Sequence, residues 1–171
     1  IPASTKPSKR GGTMARASAW DPPVIDPRLT QSVGTFQFAG LVYNRLVRYR
    51  FADEASGPND LTLTGDLAES WEVNPDHRVW TFKVRQGVKW QNVAPVKGRE
   101  LVASDLKYCF EGYAKEGVQS FTFREIEGME TPDKYTLRVH LKTPNVLFAH
   151  NLAEPVAVIF PREVLEEDGD L

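Results

Sequence analysis

The chain has 171 residues, enough for one domain that buries roughly two-thirds of the surface its unfolded form exposes. An apolar content of 41% and a charged content of 26% are those of a globular protein, which excludes a disordered chain or a membrane-embedded bundle. A net charge of -2 gives no support to a nucleic-acid or anionic-membrane partner, either of which calls for a basic patch.

Residues 1–12, rich in Ser, Lys, Pro and Gly, lack the apolar stretch of a signal peptide and read as a flexible tether. Such a tether suits a mature exported protein whose signal or lipid-anchor segment has been removed, and its composition fits a cytoplasmic linker equally well. Residues 13–17 form a short strand candidate. Pro22, Pro23 and Pro27 then exclude helix and central strand, because each lacks an N–H and restricts the residue before it. From Thr35 the spacing changes: Phe38, Leu41, Val42 and Leu46 recur at helical intervals, which predicts a helix over about 36–46 with the Thr35 hydroxyl as cap. Residues 47–51 alternate as a strand, 52–60 have the composition of an exposed loop, and 61–63 offer a further short strand.

The strongest pattern lies in the middle of the chain. Trp80, Phe82 and Val84 alternate with Thr81, Lys83 and Arg85, so an extended strand puts the large apolar groups on one face. Trp71 and Val73 flank Glu72 with the same period, and Asn74-Pro75-Asp76-His77-Arg78 supplies turn chemistry between the runs. This predicts an antiparallel hairpin with an aromatic face. Residues 91–100 read as a surface loop. In the following helix Leu106, Cys109, Phe110 and Tyr113 share a face, and Gly117 is placed to end it through a positive φ. A second hairpin is predicted from Ile126 and Met129, a turn at Thr131-Pro132-Asp133-Lys134, and the alternation Tyr135, Leu137, Val139, Leu141. A short helix from Pro144 to about Leu152 follows, then one over 162–167 with Pro161 at its start.

Three blocks carry a resemblance. Leu67-Ala68-Glu69-Ser70-Trp71-Glu72-Val73, the run from Trp80 to Gly87-Val88-Lys89-Trp90, and Ala103-Ser104-Asp105-Leu106-Lys107-Tyr108 together resemble the signature of the family 5 extracellular solute-binding proteins. These are receptors of ABC importers for peptides, nickel and oligosaccharides. The resemblance runs from about Gly11 to the last residue and matches the leading part of such a receptor. It departs in two places: the loop at 91–100 is longer than the family's, and Val102 stands where a capping Thr or Ser is usual.

The resemblance implies an α+β fold in which an antiparallel sheet has helices packed on one side, as part of the first lobe of a two-lobed, type II periplasmic-binding-protein fold. Residues 13–34 would supply the opening strand and cleft-lining segment of that lobe, and 35–171 a subdomain of it, with the second lobe absent from a partial chain. The cleft-lining stretch would be Gln31, Ser32, Val33 and Gly34, with Trp20 close by in the cleft wall. Implied too is capture of a solute, a peptide or similar, outside the membrane by closure of two lobes. Its partners would be that solute and an ABC permease; the location would be periplasmic or extracellular, with an N-terminal lipid as one means of tethering. A receptor of full length would be monomeric.

Read without the resemblance, the residues point to no catalytic chemistry, no metal and no cofactor. His77, His140 and His150 have no metal-ligand spacing, and a single cysteine, Cys109, builds neither a disulfide nor a thiolate cage and reads as a buried apolar group. Glu69 and Glu72 read as surface carboxylates rather than an acid/base pair. Trp71, Trp80 and Trp90 form either a sheet core or a stacking platform, and the core is the simpler reading. An extended, small-side-chain stretch over Gln31–Gly34 leaves backbone groups free to pair with an extended ligand, although a loop entering a helix cap has the same composition. The alternative function is a stand-alone protein-interaction module that uses the aromatic sheet face.

Overall fold

The computed structural model describes residues 21–51, 54–118 and 120–168, with Thr13 and Ala15. Trp20 and most of the strand expected over 13–17 lie outside the described residues; Thr13 and Ala15 are exposed and belong to no strand. Among the described residues helix α1 (Val33–Val42) comes first, then strands β1 (Val47–Tyr49), β2 (Leu63–Gly65), β3 (Ala68–Val73) and β4 (Val79–Val84). Helices α2 (Ala103–Glu116) and α3 (Phe121–Arg124) lead to strands β5 (Ile126–Asp133) and β6 (Thr136–Leu141), and α4 (Phe148–Leu152) and α5 (Arg162–Asp168) follow.

Period-two alternation becomes a four-stranded antiparallel sheet in the order β3-β4-β6-β5, beside a two-stranded ribbon of β1 and β2. Trp80 pairs with Val139 on one side and Val73 on the other, and Phe82 with Leu137 and Trp71. Trp80, Phe82, Leu137 and Val139 are buried and share one core, with half-buried Trp71 packed at its edge. The aromatic face therefore points inward. The other face carries Glu72 and Lys83 in solvent, an Arg138–Glu130 ion pair, and a Lys83 Nζ bond to Thr136 Oγ1 at 2.8 Å. Both sheet edges carry devices against further strand pairing: register shifts between Ala68 and Ser70 on β3 and between Ile126 and Gly128 on β5, with exposed Glu69 and Glu127 beside them.

Helix α2 lays Leu106, Cys109, Phe110 and Tyr113 on the core as its spacing predicts. Around Phe123 the rings close up, with Tyr113 at 4.7 Å and Phe110 at 5.1 Å. The Tyr113 hydroxyl donates to the Val158 carbonyl at 3.0 Å and the Cys109 thiol to the Phe160 carbonyl at 3.2 Å, so neither buried polar group lacks a partner. Val102, at the N-cap, has no side-chain oxygen to offer the helix. Instead the Asp105 carboxylate accepts the Val102 N–H at 3.0 Å and is itself gripped by the Arg99 guanidinium at 2.8 and 2.9 Å. Arg99 also holds Glu163 of α5, so the loop 91–100 is fastened at its end to two helices and buries Val96.

Some elements differ from the sequence-based expectation. Gly117 ends α2 with φ -68, not a positive value. Its need for glycine is steric: an added Cβ would lie 2.6 Å from the Tyr113 carbonyl oxygen, whereas at Gly112 it would meet nothing within 4 Å. Gly117→Ala should therefore lower stability by about 1–3 kcal/mol, as overpacking does, while Gly112→Ala in mid-helix should raise it by about 0.5–1 kcal/mol. Urea unfolding of the two variants side by side checks the contrast. The second hairpin turns later than expected, at Lys134 and Tyr135, because β5 continues to Asp133. Helix α4 begins only at Phe148, and α3 had no counterpart in the sequence reading.

Glu100 draws the hairpins together. Its carboxylate accepts the Gly87 N–H at 2.8 Å, the Tyr135 hydroxyl at 2.9 Å and the Lys134 ammonium at 2.6 Å. The Lys134 hydrogen bond, with those from Gly87 and Tyr135, lowers its pKa from 4.5 to about 2, and the Arg99 hydrogen bond lowers that of Glu163. Depressed carboxylate pKa values stabilise the fold above the unfolded value and lose that contribution as pH falls through the folded one. The urea midpoint should accordingly drop between pH 4.5 and about 2, and Glu100→Gln should flatten part of that drop.

Candidate functional site

The stretch expected to line a cleft hangs between two anchored residues. Asp26 begins a tight turn by accepting the Arg28 N–H at 2.8 Å, and its two oxygens take the Arg28 side chain at 2.5, 3.0 and 3.1 Å. The guanidinium lies 5.4 Å over the Phe160 ring and 3.9 Å from Glu116, and the Arg28 carbonyl accepts the Val118 N–H at 2.8 Å. Burial works against the Arg28 charge, but the hydrogen bonds and charge of Asp26 outweigh it and hold its pKa above the ordinary value. Burial, then the nearby Asp26 charge, likewise raises the Tyr43 hydroxyl. At the far end the Thr35 hydroxyl donates to the Val24 carbonyl at 2.6 Å.

Between these anchors Gln31 and Val33 are exposed, Ser32 is half-buried and Gly34 is buried. The expected extended stretch is extended only as far as Ser32, whose φ of -70 and ψ of 126 make it the N-cap residue. Val33 and Gly34 already belong to α1, which runs over Val33–Val42 rather than 36–46. Thr35 thus lies inside the helix and ties it to Val24 instead of capping it, and Leu46 lies beyond the helix in the core. What the stretch offers an acceptor is therefore the leading N–H groups of a helix, which have no partner within the helix itself, and not the free edge of a strand.

The surface around it is apolar. Helix α1 reads VGTFQFAGLV and buries only Gly34, Thr35 and Ala39, leaving Val33 59%, Leu41 53% and Val42 44% exposed. Leu29, Ile25 and Val24 before the helix, Phe38 within it and Val118 after α2 are exposed as well. An amphipathic surface helix shows water a polar face; α1 shows it Gln37 among the apolar Val33, Phe38, Leu41 and Val42, which is the pattern of a helix that packs against a further surface. An apolar surface left open toward a missing lobe is expected of a partial receptor, but its place on α1 and the Asp26–Arg28 pair behind it are not legible from the sequence reading. The signal was present in the absence of charge from residues 29–42.

Other candidate sites carry less. An open groove of about 330 Å³ between α2 and β5, lined by Ala114, Lys115, Phe123 and Met129 among others, includes none of residues 31–34. A smaller cavity of about 50 Å³ beside Trp90, Tyr43 and Asn44 has room for little more than water. Trp80 is buried and Trp71 and Trp90 are half-buried against the core, so they form no open stacking platform. Glu69 and Glu72 are exposed. Among the described residues no group of three or more His, Cys, Asp and Glu side chains could hold a metal ion, and no helix is long and apolar enough to cross a membrane.

Comparison with known proteins bears on this geometry. The family described as bacterial extracellular solute-binding proteins, family 5 Middle, matches residues 62–170. The probable D,D-dipeptide-binding periplasmic protein DdpA of Escherichia coli K12 is 31% identical over 150 residues, which is 87% of this chain and 28% of DdpA. The dipeptide-binding protein of the same organism is 29% identical over 172 residues, 91% of this chain and 31% of the relative. The chain thus spans about three tenths of these relatives' length. Among solved structures, the periplasmic binding protein AgaA from A. tumefaciens R10, in complex with agropinic acid, superposes with a TM-score of 0.74 at 26% identity, over 88% of this chain and 28% of AgaA. DppA from Helicobacter pylori, in complex with the peptide STSA, gives 0.69 at 25% identity, over 83% and 29%. The antiparallel α+β architecture is that of a lobe of a type II periplasmic binding protein, and with the family matched over most of its length this chain belongs to the bacterial extracellular solute-binding proteins of family 5, which are binding proteins.

Proposed function

We propose that the chain forms part of the first lobe of a receptor that captures a peptide or similar small solute outside the cytoplasmic membrane and delivers it to an ABC permease. The observation that carries this reading is the apolar, largely exposed helix α1 with Ile25 and Leu29 beside it. In water such a surface is unfavourable at about 25 cal/mol per Å², and patches of this kind mark where a second body packs. In a receptor of the relatives' length that body is the rest of the receptor, and Gln31, Ser32, Val33 and Gly34 stand at its margin, facing the solute. Residues 13–34 then act as the opening and cleft-lining segment, and 35–171 as the subdomain that supports it.

The names of the relatives favour peptides: DdpA and the Escherichia coli relative are named for dipeptides, and the Helicobacter pylori structure holds one tetrapeptide. DdpA and the Helicobacter pylori protein are named as periplasmic, which supports the same location here. The alternative, an interaction module using its aromatic sheet face, is disfavoured because Trp80 and Phe82 are 5% and 0% exposed and offer a partner nothing. Mass spectrometry of whatever small molecule is released on denaturing a receptor-length protein that contains this chain tests the proposal. A peptide at near-stoichiometric yield is expected; a preparation that releases no solute and binds none of a di- to tetrapeptide mixture would count against it.

A further inference from the structure

We infer that the Asp26–Arg28 pair is a positioning device for the stretch 29–34, holding it in place independently of the sheet core. This deepens the receptor reading, on which the stretch's exposure to solute rests. The side chains of Arg28 and Asp26 are only 6% and 1% exposed, and the fork-shaped guanidinium meets both carboxylate oxygens. A buried ion pair of this kind adds little net stability over apolar side chains of the same volume, because desolvating the two charges offsets their attraction. What it does impose is geometry, since the planar fork satisfies a carboxylate in few orientations.

The bonding around the stretch points the same way. From Leu29 to Ser32 the backbone bonds to described residues are local: the Leu29 N–H to the Asp26 carbonyl, the Ser32 N–H to Thr30 Oγ1, and the Phe36 N–H to the Ser32 carbonyl. Firmer links sit at its two ends. Arg28 lies on Phe160 and receives the Val118 N–H, which ties it to the body of the protein, and the buried Thr35 bonds back to Val24 in the segment before Asp26. Loosening the Arg28 end should free the exposed stretch to swing while β4 and β6 keep their pairing.

Amide hydrogen exchange on the chain without any solute tests this, using the double variant Asp26→Leu/Arg28→Met, which replaces the pair by apolar groups of similar size. The hydrogen-bonded amides of Ser32 and Phe36 should exchange about tenfold faster than in the parent, while those of Phe82 and Leu137 stay within about twofold. Arg28→Lys keeps the charge and loses the fork, so it should raise exchange at Ser32 and Phe36 by an intermediate factor of about threefold. Unchanged exchange at Ser32 and Phe36 would overturn the inference. So would an equal rise at Phe82 and Leu137, which would make the pair a support of the whole fold. Should the double variant fail to fold, Arg28→Lys decides by the same two criteria. No solute takes part, so a failure of the receptor proposal leaves this result readable by itself.

Discussion

Trp80→Ala is expected to lower the stability of the chain by about 3–5 kcal/mol, the usual range for truncating a buried aromatic to alanine. The side chain is 5% exposed in the middle of β4, lies 5.9 Å from Phe148 and 6.3 Å from Phe82 between ring centroids, and pairs with both Val73 and Val139. Its removal opens a cavity against three elements at once. For a domain of this size the melting temperature should fall by roughly 6–20 °C. Trp80→Phe should cost much less, because it keeps most of the ring and removes the indole N–H, which has no hydrogen-bond partner among the described residues. Calorimetric melting of the two variants checks the order, and a Trp80→Ala chain that melts with the parent would mean that the aromatic face is open to solvent.

Asp26→Ala is the second large effect, expected at about 3–5 kcal/mol for a reason unrelated to packing volume. It leaves the Arg28 guanidinium, 6% exposed, with only the solvent-exposed Glu116 at 3.9 Å as counter-charge among the described residues. The double variant without either charge should sit close to the parent. That non-additivity, read from urea unfolding, separates an uncompensated charge from a lost contact; an Asp26→Ala chain within 1 kcal/mol of the parent would show that water reaches Arg28.

The hairpins were legible because their residues alternate strictly. Phe82, Val84, Leu137 and Val139 each have a polar neighbour on either side, and Trp80 continues their register, so an extended strand has only one way to bury them. Helix α2 was legible for the corresponding helical reason. Helix α1 starts earlier than its spacing suggests because VGTFQFAGLV offers little polar contrast, and without contrast the period does not say where a helix starts. Its start follows from Ser32 and from the bond of Thr35 to Val24, a contact between residues eleven apart that no local rule supplies. The reason for Gly117 was misread because φ is a local property and the approach of the Tyr113 carbonyl is not visible in composition. For the site, residue chemistry alone left a cleft stretch and an ordinary loop equally open; the family resemblance pointed to residues 31–34, and the apolar surface of α1 is what the structure adds.

The central claim is that Gln31–Gly34 form one side of a solute cleft completed by a second body. Calorimetric titration tests it most directly, using a receptor-length protein that contains this chain, then the chain alone, with the peptide recovered from the former. Losing half the binding free energy takes a micromolar ligand, at about -8 kcal/mol, to roughly millimolar. The account predicts a drop of that order for the chain alone, together with protection of the Val33 and Gly34 amides on binding to the longer protein. Equal affinities for the two proteins, or peptide binding that leaves those amides unprotected, would contradict it.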